Sequence, residues 1–393
     1  MKIQNSTFSL VTHLSCSSCN KEYNFDEIQS YAICCEKPLL VNYDLENPIS
    51  KDILMDREFN MWRYHELLPV LNTEHIVSLG EGMTPIIRLK KLEEEYGYKN
   101  LLLKDEGLNP TGSFKSRGLS MAISKAKELG VKECVIPTAG NAGAAMSAYC
   151  AKAGISATVI MPKITPKIFQ QEYRFYGAEV ILVDGLIDKC GEIAKEYEKR
   201  TGAFNMSTLK EPYRIEGKKT MGFEIAEQMK WSLPDVIIYP TGGGTGLIGI
   251  WKAFKEMIQL KWISKEQLPK MIVVQSENCA PMVNYINGVE YDNSSLKESI
   301  ANGLAVPKAF GKDLIMKVVE DSCGCAISIS EDKILAGTLE IGRKEGIGVA
   351  PEGGAIWESL KILSSNGTIS KQDQVLLLNT GSSLTYLDNL NLI

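Results

Sequence analysis

The sequence predicts an α/β fold, with parallel sheets wrapped by helices and a small cysteine-bearing head in front. Two patterns predict the body of the molecule. From residue 99 onward, short β-branched strands recur at 100–106, 133–139, 156–162, 179–185, 234–240, 271–277 and 374–380. Helical stretches fill the intervals, at 114–130, 142–154, 166–177, 186–201, 216–230, 246–259, 331–345 and 353–365. Strands alternating with helices build parallel sheets that bind ligands at the carboxyl ends of their strands. A third observation supports the head: residues 1–45 hold four of the ten cysteines and little periodic apolar pattern. They read as two short hairpins with polar turns.

Composition bounds the rest. A chain of 393 residues, 44% hydrophobic and 23% charged, has length for about two domains and excludes wholesale disorder. The net charge of −5 argues against a nucleic-acid or anionic-membrane surface. No apolar stretch approaches the about 18 residues of a membrane helix, and the N-terminus lacks a signal-peptide core. Scattered cysteines fit reduced thiols, so a cytoplasmic protein is expected. Within the body, 56–72 reads as a helix with an aspartate start, followed by a Gly-Glu-Gly turn at 80–82.

Four turns could carry chemistry, and each follows a predicted strand. Residues 105–118 place Thr111 and Ser113 as possible caps of a helix beginning near Lys115. An amine beside the positive end of a helix dipole is easier to deprotonate, as a Schiff-base lysine requires; the alternative is a solvated first-turn lysine. Residues 241–246 include Gly242, Gly243, Gly244, Thr245 and Gly246, whose amides can wrap a phosphate at a helix N-terminus. The same stretch contains a formal G-x-G-x-x-G at 244–249, with Glu277 ending the next strand, so a dinucleotide enzyme or a ligand-free turn is the rival. Residues 137–145 bring the Asn141 amide to a small-residue turn, for a ring or carboxylate contact or for close packing. Residues 378–383 end a strand with Thr380, Ser382 and Ser383, whose hydroxyls face a heteroatom or cap the turn.

Together these turns supply an amine, a phosphate nest, an amide and a hydroxyl, the set that pyridoxal phosphate requires. The sequence resembles the threonine synthase branch of the tryptophan-synthase-β-like, fold type II pyridoxal phosphate enzymes. The resemblance rests on residues 78–85, Trp62-Arg63-Tyr64 with Leu67-Leu68-Pro69, 109–115 and 212–220, and spans nearly the whole chain. It implies two open, twisted, mainly parallel sheets: a large cofactor-binding domain of 46–115 and 216–393, a small domain of 116–215, and the head at 1–45. It implies Lys115 as the catalytic Schiff-base lysine, Asn141 on the ring 3′-oxygen, Gly242 to Gly246 on the phosphate, and Thr380 on the pyridine nitrogen. Thr138, Ser207, Glu211 and Arg214 are the expected substrate residues. The implied reaction converts O-phosphohomoserine and water to threonine and phosphate. A homodimer acting on a small amino acid is expected.

Some positions depart from the family pattern. Ala139, Ala142, Gly143 and Ala145 replace a hydroxyl-rich run, Glu211 stands where a phosphate-contacting asparagine is expected, and Ser116 replaces an aspartate. The alternative is therefore β-elimination or β-replacement on serine, threonine or O-phosphoserine. Cys16, Cys19, Cys34 and Cys35 resemble the zinc-ribbon head of some members. Adjacent Cys34 and Cys35, with Glu36 in place of a glycine, favour a metal-free, degenerate ribbon over bound zinc.

Overall fold

The computed structural model describes residues 8–47, 49–291 and 296–390. Contacts divide the chain into two compact units. The first comprises residues up to 83, 115–223 and 255–262; the second comprises 84–114, 224–254 and 263 onward. Residues 46–83 thus join the 115–223 stretch, rather than the 216–393 stretch expected from sequence.

The first unit opens with a three-stranded antiparallel sheet, β1 (Val11–Cys16) between β2 (Glu22–Tyr23) and β3 (Leu39–Tyr43). Its inward Leu14, Cys16, Leu39 and Val41 share one core with Leu119, Met121, Met146 and Tyr149. The head is therefore packed into this unit. Its larger sheet is parallel, in the order β8 (Glu179–Val183), β7 (Ser156–Pro162), β6 (Glu133–Pro137), β9 (Phe204–Asn205). Strand alternation splits the core between the two faces. Cys134, Ile136, Val159 and Met161 face the core that holds α2 (Lys115–Glu128) and α3 (Asn141–Ala153), together with Phe169 and Tyr173 of α4 (Lys167–Phe175). Val135 and Ile160 face α5 (Ile187–Thr201) through Cys190 and Ala194.

The second unit holds a six-stranded sheet in the order β12 (Cys325–Ile329), β11 (Lys270–Ser276), β10 (Val236–Pro240), β13 (Gln374–Asn379), β5 (Asn100–Asp105), β4 (Ile86–Arg88). Only β4, at one edge, runs antiparallel. Every residue of the central β10 is buried, as expected of a parallel strand covered on both faces. The helices are α1 (Lys90–Tyr96), α8 (Pro281–Ile286), α9 (Lys312–Asp321), α10 (Glu331–Glu345) and α11 (Pro351–Ser365). Trp357 of α11 anchors their core, meeting Tyr96 edge-on at 5.1 Å. Two helices, α6 (Tyr213–Gln228) and α7 (Thr245–Gln259), contribute residues to both units.

One local reading changes. The expected helix at 56–72 is replaced by 3₁₀ turns at Lys51–Asp56 and Met61–Leu67. The Asn60 side chain caps the second turn at Trp62, and the Arg63 guanidinium takes the carbonyls of Arg57 and Glu58 that a continuous α-helix needs. The strand β12 adds to those the sequence predicts, since its short, polar-interrupted sequence gives little strand signal. Gly324 precedes it because a Cβ there would lie 2.0 Å from the Met271 carbonyl oxygen.

Candidate active site

In the second unit, three of the four turns meet around Phe114. The Phe114 amide donates to the Thr380 carbonyl at 3.1 Å, and Ser382 N–H donates to Gly112 at 2.8 Å. Ser113 and Gly381 form an isolated antiparallel bridge between the same two segments. The residue before Lys115 is thereby tied to the end of β13, where Thr380 is buried. Behind this bridge, Asn379 donates to the Asp105 carboxylate at 2.7 Å, and burial holds that carboxyl above its usual range. The ring of Phe114 also stands edge-on to Tyr239, 6.3 Å between centroids.

Tyr239 belongs to β10, which leads into the glycine loop. Close neighbours dictate its small residues. A Cβ on Gly242 would lie 2.2 Å from the Gly303 carbonyl oxygen, and one on Gly246 would lie 1.8 Å from the Tyr239 hydroxyl. Gly244 has φ +76° and no room against Ile315. The loop ends at Thr245, where α7 begins, and the first N–H groups of a helix have no acceptor within the helix itself. This is a cradle built for an anion.

In the first unit, Lys115 is the half-buried first residue of α2. On the same helix, Gly118 leaves room for Lys218, whose Cε would lie 3.0 Å from an added Cβ. Burial, then Arg214 and Lys115, push the Lys218 amine well below the ordinary lysine range. Arg214 is buried and donates to the Met206 carbonyl at 2.5 Å. Glu211 accepts from the Tyr213 and Arg214 amides at 2.8 and 2.9 Å, so its carboxylate caps its own helix, α6. Burial raises that carboxyl to about 7, against the pull of Arg214. Ser207 bonds back to Asn205 through both its amide and its hydroxyl.

Asn141 opens α3 after Gly140, whose carbonyl accepts the Tyr173 hydroxyl at 2.7 Å. Gly143 is required by packing, because a Cβ would meet the Tyr173 ring at 2.6 Å and the Thr138 methyl at 2.7 Å. Thr138 therefore packs beneath the Asn141 turn. The sequence reading missed Tyr173, whose partner is a backbone atom and leaves no motif. It also assigned no role to Glu81. That fully buried carboxylate accepts from Trp62 Nε1, Ser120 Oγ, Tyr149 OH and Leu79 N–H, tying the 60–82 segment to α2 and α3.

Residues 77–381 match the family described as pyridoxal-phosphate dependent enzymes. The chain belongs to that family. It is 35% identical to the threonine synthase of Methanocaldococcus jannaschii over 375 residues, covering 94% of this chain and 92% of that protein. It is 33% identical to the threonine synthase of Methanosarcina acetivorans, covering 95% and 92% of the two chains. Among solved structures, maize serine racemase aligns with a TM-score of 0.66 at 22% identity, over 77% of this chain and 88% of that one. The similarity to the racemase shows the shared fold, a fold type II pyridoxal phosphate enzyme.

The second unit fits the family cofactor. Its glycine loop admits no Cβ at three positions, and the buried Tyr239 hydroxyl has no hydrogen-bond partner in the structure. A dinucleotide reading finds no support in these relatives.

The head brings its four cysteines together. Their sulfurs all lie within 4.8 Å of one another, with Cys19 and Cys34 at 3.5 Å. Cys34 and Cys35 both join the cluster because the hairpin bridged by Ala32 and Lys37 turns sharply at Glu36, whose φ is +51°. The glycine expected there is replaced by a residue in the same left-handed conformation. Zinc–thiolate bonds of about 2.3 Å give sulfur–sulfur separations of about 3.8 Å in a tetrahedron, so a small contraction would suit the ion.

Proposed function

We propose that this enzyme is a threonine synthase, converting O-phosphohomoserine and water to threonine and phosphate. The observation that carries the reading is the near-complete, 35%-identical alignment with a threonine synthase. Bound pyridoxal phosphate supplies the electron sink that makes protons next to the amino-bearing carbon acidic. Lys115 would hold the cofactor through its aldehyde, and its amine would move protons between neighbouring substrate carbons. The N–H groups of the 242–246 loop would hold the cofactor phosphate, Asn141 would take the ring 3′-oxygen and Thr380 the pyridine nitrogen. A neutral hydroxyl there would leave that nitrogen unprotonated.

Arg214 grips the substrate phosphate or carboxylate, since a guanidinium can offer two parallel donors. Glu211 acts through Arg214, as the cap and counter-charge that fix its helix turn, while Thr138 and Ser207 border the substrate. The four head cysteines hold a structural zinc ion. The enzyme works as a cytoplasmic homodimer, a reading supported by family likeness and by ten unpaired cysteines. Among the described residues no helix is long and apolar enough to cross a membrane.

Purified enzyme reconstituted with pyridoxal phosphate should form threonine from O-phosphohomoserine. Serine, threonine and O-phosphoserine should be turned over far more slowly. Faster release of ammonia or 2-oxoacid from any of these three would replace the proposal with a β-eliminating enzyme.

A further inference from the structure

The proposed cofactor site leaves one of its buried polar groups without a task. Tyr239 is 2% exposed, and its hydroxyl has no hydrogen-bond partner in the structure. Leaving a buried hydroxyl unpaired costs on the order of 1–3 kcal/mol, so an orphan of this kind in a tight core points to an absent partner.

Its position narrows that partner. Tyr239 lies near the end of β10, with the glycine loop immediately after it. The hydroxyl rests against the α-carbon of Gly246, the second residue of α7, so closely that a Cβ there would lie 1.8 Å away. It therefore stands against the first turn of that helix, whose leading backbone groups are N–H donors. Those groups draw an anion. Glu106 is the nearby carboxylate, but its oxygens accept from Thr84 and Asn109 at 2.6 and 2.9 Å. A buried phenol without an acceptor, set against the start of a helix, calls for an oxyanion.

We propose that the Tyr239 hydroxyl is the side-chain donor of the phosphate cradle, hydrogen-bonded to an oxygen of the bound pyridoxal phosphate. The assignment rests on the pyridoxal phosphate reading above. It explains two sequence choices together. Gly246 is small because the phenol must reach past it, and Phe114 packs edge-on to hold the ring at that place.

The test compares the wild type with Tyr239→Phe, each as apoenzyme and with pyridoxal phosphate or pyridoxal, which lacks the phosphate. Loss of a hydrogen bond to a charged oxygen should weaken pyridoxal phosphate binding about tenfold to a hundredfold. Pyridoxal binding should be unchanged. The apo variant should melt at the wild-type temperature or above it, because the hydroxyl it loses has no partner there. Equal weakening of both ligands would put the phenol on the ring and overturn the proposal. Unchanged pyridoxal phosphate affinity would overturn it too, as would a destabilised apo variant, which shows the hydroxyl already satisfied. If Tyr239→Phe does not fold, a fluorotyrosine placed at 239 keeps the hydroxyl. Its ¹⁹F resonance should shift saturably with pyridoxal phosphate and not with pyridoxal, and any other response refutes the assignment. Failure of borohydride to fix the cofactor on wild-type Lys115 would instead sink the underlying cofactor reading.

Discussion

Lys115 and Glu211 show how much a single residue's surroundings decide. Lys115→Ala should abolish the borohydride-fixed chromophore and lower turnover about 10²–10⁴-fold, the usual share of a proton-transfer group. Retained colour with full turnover would refute its role. Glu211 makes a pH prediction. Its folded-state value of about 7 lies above the ordinary 4.5, so the native protein binds the proton more tightly than the unfolded chain. That contribution to stability is fully present below about pH 4.5 and is lost as the pH rises through about 7. Comparing wild type with Glu211→Gln by denaturant melts at pH 4.5 and pH 8, the balance should move toward the variant by about 3 kcal/mol. A difference independent of pH would mean the carboxyl titrates normally. Both residues were conspicuous in the sequence, yet Glu211 was read there as a substrate group. Its capping bonds depend on where α6 begins, which spacing alone does not fix.

At the scale of elements, the glycine loop and the head make separate predictions. Gly244→Val forces a branched side chain into a left-handed backbone, at a cost of about 1–3 kcal/mol, and into Ile315. The variant should fold with a lowered melting temperature and lose pyridoxal phosphate on gel filtration. Full retention of cofactor would exclude this loop as the cradle. The head should carry about one zinc per chain, and chelation should raise hydrogen exchange in β1, β2 and β3 before it affects the larger parallel sheets. Metal-free protein with unchanged exchange would leave a ribbon held by its core alone. That core is substantial, since the head also sends Tyr43 to the buried Glu216 at 2.6 Å.

On the scale of the whole molecule, the activity prediction separates the two chemistries the sequence left open. With O-phosphohomoserine as substrate, Arg214→Ala should raise KM or lower kcat strongly, because alanine removes the two-pronged grip altogether. Unaltered kinetics in that variant would place the phosphate elsewhere. Sedimentation at micromolar concentration should give twice the chain mass, and a monomer with full activity would refute the homodimer.

The sequence by itself determined the α/β class, because strand and helix periods are local and repeat along the chain. It also marked the lysine, the glycine loop and the strand-end threonine, since each lies in a contiguous stretch with its own chemistry. Lys115 was legible because a strand, a turn and a cap precede it directly. What only the tertiary structure decided depends on atoms distant along the chain. The 3₁₀ turns at 51–67 replaced a helix because side chains took the carbonyls it needed. Glu81 became the buried anchor of Trp62, Ser120 and Tyr149. Gly143 proved small to admit Tyr173, and Gly246 to admit Tyr239. A glycine in a sequence records that something comes close, while the folded chain alone shows what it is.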